Sequence, residues 1–173
     1  MVAGETFSKA LNRLGFFTLV WLVSSFTGAR FTRSFWGNWE RMGGSFNFAH
    51  YFLWWLVLVN VFKNIKQWYR LLNFSLLVSL AICLYSLGQR FGSGLTFESG
   101  LTRVNGTIGN AAYLAAYLLF HIFIAWYFFI KGGSWSGKLF YLGAFVLQVF
   151  ILLLTSTRGA QLAFLAALVL FLI

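Results

Sequence analysis

Two short segments hold the residues with the most chemistry. Arg103, Asn105, Gly106, Thr107, Gly109 and Asn110 belong to a basic, glycine-bearing turn that runs straight into an apolar stretch starting at Ala111. Thr155-Ser156-Thr157-Arg158-Gly159-Ala160 lies between two further apolar runs. A guanidinium presents a planar fork of N–H donors matched to phosphate oxygens, which an ammonium does not. In the first segment Asn110 is placed to cap a helix. The free N–H groups of such a helix start attract anions, and Gly106 and Gly109 allow the backbone close to a ligand. In the second, the hydroxyls of Thr155, Ser156 and Thr157 are expected to orient Arg158, in a turn too short for structure of its own. The chemistry on offer is the binding of a phosphate or pyrophosphate. For any one arginine the competing reading is ordinary anchoring to lipid phosphates at a membrane surface.

The other polar residues point less sharply. His50 stands near one end of an apolar run, where it is either a proton acceptor or bonded to a neighbouring helix, and His121 in mid-run reads as a hydrogen-bonded core residue. Glu40 and Glu98 are too far apart in sequence for a catalytic carboxylate pair, so each is expected to neutralise a nearby arginine. Asn105-Gly106-Thr107 matches a glycosylation sequon, a pattern frequent by chance. Metal-ligand spacing, a P-loop and a dinucleotide fingerprint are all absent from the sequence, and no cofactor is expected. Cys83 is the one cysteine, so no disulfide forms within the chain.

These residues must be positioned by membrane helices. Of 173 residues, 60% are hydrophobic and 9% charged, against roughly 25% charged in soluble domains. A mean hydropathy of +0.79 exceeds what a soluble core of this size can bury. Apolar runs cover approximately Leu14–Phe26, Phe46–Phe62, Leu71–Leu87, Ala111–Ile130, Leu139–Leu154 and Ala160–Ile173. Six spans of about 20 residues account for about 120 positions, which predicts an all-α polytopic bundle with short connections, a single transmembrane domain over residues 1–173. The first run follows Lys9 and Arg13 and has a signal-peptide look, but the five later runs favour a first membrane helix. The last run ends without a polar flank, so the chain is expected to be a fragment truncated at its C-terminus.

The net charge of +10 points to anionic partners. The cations are scattered between hydrophobic runs and form no stripe, which argues against nucleic acid and for lipid headgroups or a phosphorylated lipid. With a cytoplasmic N-terminus, Lys9, Arg13, Lys63, Lys66, Arg70, Lys131 and Lys138 fall inside, and Arg30, Arg33, Arg41, Arg90, Arg103 and Arg158 outside. Seven against six barely satisfies the positive-inside rule. The residue types separate better, because all five lysines fall inside and the outer connections carry arginine only.

At these residues the sequence resembles the O-antigen ligase and O-antigen polymerase superfamily, bacterial membrane enzymes that handle polyprenyl-linked glycans. The likeness lies in Arg103 to Asn110 followed by Tyr113, Leu114, Ala115 and Tyr117, then in Thr155, Ser156, Arg158, Gly159 and Ala160. Upstream, Phe35-Trp36-Gly37-Asn38-Trp39-Glu40-Arg41-Met42-Gly43-Gly44 with His50 and Tyr51 is also similar. The resemblance implies a GT-C-like fold in the bacterial inner membrane. It implies transfer or polymerisation of a glycan from an undecaprenyl diphosphate carrier to an acceptor hydroxyl at the external face. It assigns the diphosphate to Arg158, Arg103 and Arg41, supported by Asn110, Thr107, Ser156 and His50. The family's histidine on a downstream external loop has no counterpart before Ile173, so the catalytic base is not named. Stabilising the leaving diphosphate is then the main catalytic device. Trp36, Trp39, Phe35 and Phe46 are either sugar-stacking or membrane-belt residues. A flippase of lipid-linked glycans would show interrupted helices in two related halves, which the sequence lacks. A noncatalytic membrane protein leaves the spacing of the two arginine motifs unexplained.

Overall fold

The structure, a computed structural model, describes residues 2–38, 43–92 and 103–172. Among the described residues it is all-helical: α1 (Val2–Thr27), α2 (Phe31–Trp36), α3 (Ser45–Val61), α4 (Ile65–Phe91), a single 3-10 turn (Gly106–Ile108), α5 (Ala111–Lys131), α6 (Trp135–Leu154) and α7 (Arg158–Leu172). Three of these, α4, α5 and α6, are long and apolar enough to cross a membrane, since 20 residues rising 1.5 Å each match a hydrocarbon core of about 30 Å. Helix α7 is apolar but has only 15 residues.

Local chemistry sets several of the ends. Asn110 caps α5 by accepting the Ala112 N–H at 2.8 Å, and Ser134 caps α6 by accepting from Gly137 N at 3.2 Å. The Ser134 cap starts α6 at Trp135, four residues before its apolar run begins. Helix α1 reaches back to Val2 and so takes in Lys9 and Arg13. Helix α2 was not expected from the sequence.

The chain forms two compact units that divide between Gln67 and Trp68. In the first, Ser25 and Ser45 join α1 to α3 through their hydroxyls, and Ser45 Oγ also donates to the Ser34 carbonyl of α2 at 3.3 Å. Trp21 stacks on Phe48 with ring centroids 4.7 Å apart. In the second unit, α5 and α6 are joined by a three-residue turn and pack antiparallel around Leu114, Leu118, Ile122, Ala125, Ala144, Ile151 and Leu152. Leu76 and Cys83 of α4 complete this core, and Ala160 and Phe164 of α7 pack against Ala115, Ile122 and Leu152.

Helix α4 is also held by polar contacts. Tyr69 meets Tyr127 hydroxyl to hydroxyl at 2.9 Å, and Tyr141 donates to Asn73 Oδ1 at 2.7 Å. Ser75 Oγ pairs with His121 Nε2 at 2.8 Å, while Gln148 Nε2 donates to Ser79 Oγ at 2.6 Å. Water is not squeezed out between helices in lipid, so small residues and interhelical hydrogen bonds do the joining. Ser79, Cys83 and Ser86 supply the small stripe.

The up-and-down course of α4, α5 and α6 sorts the cations of this unit. At one end Lys131 donates to Tyr69 Oη at 3.1 Å and sits 5.6 Å and 5.1 Å from the Tyr69 and Tyr127 ring centroids; Arg70 and Lys138 share that end. Arg90, Arg103 and Arg158 belong to the other. Within this unit both lysines therefore lie at the end opposite Arg103 and Arg158.

Candidate functional site

The arginine end is built from the last turn of α4 outward. Gln89 is buried there and binds the 103–110 segment through its side-chain amide. Its Oε1 accepts the Gly106 N–H at 2.9 Å, and its Nε2 donates to Asn105 Oδ1 at 2.8 Å and to the Gly106 carbonyl at 3.4 Å. Gly106 is buried with φ +59. A Cβ there would stand 3.0 Å from Ser86 Oγ and 3.3 Å from Ile82 Cγ2. The left-handed backbone favours glycine there, and the tight space adds to that preference. Val104, fully buried, donates its N–H to the Leu154 carbonyl at 3.3 Å.

That contact brings Arg103 onto the turn after α6. Arg103 Nε donates to the Thr155 carbonyl at 3.0 Å, and Nη2 donates to Thr157 Oγ1 at 3.2 Å. The two bonds use two of the five guanidinium donors. Thr155 is buried, its hydroxyl donating to the Leu152 carbonyl at 2.7 Å. Ser156 takes up a left-handed conformation, φ 51, which reverses the chain so that Thr157 faces α5, where its hydroxyl lies 3.4 Å from the Ala111 carbonyl. The Thr157 carbonyl then accepts from Gln161 N at 3.1 Å, opening α7.

The two motifs expected to share a ligand, some fifty residues apart in sequence, therefore meet in space. One detail differs from expectation. Thr155 and Thr157 orient Arg103 and not Arg158, because the left-handed Ser156 turns the Thr157 hydroxyl inward while Arg158, the first residue of α7, stands exposed. Ser156 is exposed at the tip of the turn, Thr107 is exposed on the 3-10 turn, and Asn110 is occupied as the α5 cap. The chain's three acids, Glu5, Glu40 and Glu98, all fall outside residues 103–161, so no carboxylate of this segment competes for the two guanidinium groups.

His50 belongs to the first unit, where its Nδ1 pairs with the Phe46 carbonyl at 2.8 Å within α3. Arg41 lies outside the described residues, as do Trp39, Glu40 and Glu98. His121 is the bonded core histidine it resembled, held between Ser75 and the Tyr117 carbonyl, the latter at 2.9 Å. Sequence reasoning missed Gln89. Its signal was its place on the stripe Ser79, Cys83, Ser86, Gln89, all buried and spaced three or four apart as one helix face requires. No protein-family model matches the chain, and neither a curated protein nor a solved structure shows significant similarity to it.

Proposed function

We propose that the arginine end of the second unit binds the diphosphate of a polyprenyl-linked glycan, and that the chain acts in glycan transfer or polymerisation of the O-antigen ligase and polymerase type. The observation that carries this reading is the Arg103 bridge. By bonding to Thr155 and Thr157 it joins two motifs that the sequence separates and fixes its guanidinium on the turn that leads into Arg158. A fixed cation is what a departing diphosphate needs, since charge grows on its oxygens as the glycosidic bond breaks and no reorganisation is required at that moment. The acceptor hydroxyl then attacks the anomeric carbon, and its proton leaves to a base outside the residues named here. On this reading the lysine end faces the cytoplasm, the arginine end faces outward, and α1, α3 and α7 join α4, α5 and α6 as six spans of a GT-C-like bundle in a bacterial inner membrane.

The test is equilibrium binding of an undecaprenyl diphosphate and the matching monophosphate to the protein in detergent. The diphosphate is expected to bind about tenfold more tightly, because its second phosphate engages further donors of the fork. Equal affinities would reduce the arginine end to a headgroup anchor.

A further inference from the structure

The first unit holds two neighbouring openings that share one residue. The larger, about 710 Å³, is lined by Arg30, Phe31, Thr32, Arg33, Trp36, Gly37 and Asn38. The smaller, about 280 Å³, is lined by Trp21, Ser24, Ser25, Arg33, Ser34 and Gly43. Arg33 belongs to both, so it stands between a hydroxyl-lined hollow and a wider one bearing a second arginine, an indole and an amide. Among the described residues neither lining includes a carboxylate.

Helix α2 carries Arg33, Ser34 and Trp36 on a braced mount. Gly44 is buried against its end so closely that a Cβ would collide with the Phe35 carbonyl, and a Cβ on Gly28 would lie 3.2 Å from Ser34 Oγ. Ring contacts fix the other side, Phe31 to Phe26 at 5.0 Å and Trp36 to Phe46 at 4.9 Å. Ser45 bonds both to the Ser25 hydroxyl and to the Ser34 carbonyl, tying α1, α2 and α3 together. A six-residue helix has too little intrinsic stability to hold its own side chains in place. Packing on glycine and serine supplies that order before any ligand arrives, which lowers the entropic cost of binding.

We propose that these two openings form one binding site for a phosphate ester bearing a polyol. Arg33 engages the phosphate beside the Ser24 and Ser34 hydroxyls, Arg30 reaches it from the larger opening, and the polyol lies in that larger opening against the Trp36 ring with its hydroxyls toward Asn38. Guanidinium forks match phosphate oxygens. An indole gives a flat apolar wall to the C–H side of a polyol, whose hydroxyls need an amide-type partner. The phosphate ester is either a lipid headgroup or a soluble sugar or glycerol phosphate. The site is independent of the glycan-transfer reading, since none of its residues belongs to the arginine end of the second unit.

The test measures retention of phosphatidylglycerol, phosphatidic acid and phosphatidylcholine by the purified full chain in detergent, read by native mass spectrometry. Phosphatidylglycerol should be retained over phosphatidylcholine, and Arg33→Gln should weaken that retention about tenfold. Lys138→Gln, which removes a charge from the second unit, should leave it unchanged. Trp36→Ala should erase the preference for phosphatidylglycerol over phosphatidic acid while retaining the phosphatidic acid itself, a result that a misfolded first unit would not give. Competition with soluble glycerol 3-phosphate separates the two sources: displacement assigns the site to soluble esters, and resistance assigns it to lipid, either being consistent with a phosphate-polyol site. Equal losses from Arg33→Gln and Lys138→Gln, or no loss from Arg33→Gln, would overturn the proposal.

Discussion

Replacing Arg158 by lysine is expected to weaken binding of a polyprenyl diphosphate almost as far as replacing it by alanine, while leaving the stability of the protein unchanged. Arg158 is exposed at the start of α7, so its removal costs the fold little. Its value lies in the planar fork, which lysine lacks even though it keeps the charge. A hydrogen bond to a charged group contributes about 2 kcal/mol, which corresponds to roughly thirtyfold in affinity. Arg103 should behave differently. Its bonds to the Thr155 carbonyl and the Thr157 hydroxyl tie two turns together, so Arg103→Ala should lower both diphosphate affinity and thermal midpoint. Titration of the diphosphate lipid against all three variants, with melting curves in the same detergent, checks the split. If Arg158→Lys binds as the unaltered protein does, Arg158 is a surface anchor and not part of the site.

Gln89→Leu is expected to cause the largest loss of stability of any single change at the arginine end, about 3 kcal/mol or more. Leucine removes both partners that Gln89 gives to Gly106 and the one it gives to Asn105. The Gly106 N–H is then left buried and unpaired, and each such group costs about 1–3 kcal/mol. Gln89 and Gly106 are both buried, so water does not readily replace the lost bonds. Gly106→Ala should act in the same direction through the left-handed backbone and the crowding against Ser86 and Ile82. Both variants are predicted to melt well below the unaltered protein and to lose diphosphate binding at temperatures where it is still intact. A Gln89→Leu protein that melts normally would mean that the 103–110 segment is not held by α4.

Some of this arrangement was legible from residue order alone. Asn110 before an apolar run announced the start of α5, and the structure places that start at Ala111 with Asn110 as its cap. The end of α6 at Leu154 followed from the same contrast, a polar turn interrupting an apolar run. Helix α2 was illegible because six residues are too few to reveal a period, and its shape is imposed by Gly28, Gly44 and Ser45, which lie outside it. The partner of Thr157 was misread for a related reason. A hydroxyl beside an arginine in sequence looks like that arginine's partner, whereas the left-handed Ser156 directs Thr157 to an arginine 54 residues away. Gln89 lay on the visible stripe of small and polar residues on α4, but its purpose depends on Asn105 and Gly106, which only the folded chain brings to it.

Accessibility of position 156 tests the diphosphate site most directly. Ser156 stands exposed at the tip of the Thr155–Arg158 turn, and a cysteine there in a Cys83→Ala background would be the chain's single thiol. Intact cells expressing this variant are treated with a membrane-impermeant maleimide, and membranes prepared from them are labelled with and without added undecaprenyl diphosphate or monophosphate. The expected result is labelling from outside the cell that the diphosphate suppresses and the monophosphate at the same concentration does not. Failure to label from outside, while a cysteine at position 138 does label, would place the arginine end in the cytoplasm, and labelling indifferent to the diphosphate would contradict a diphosphate site at this turn.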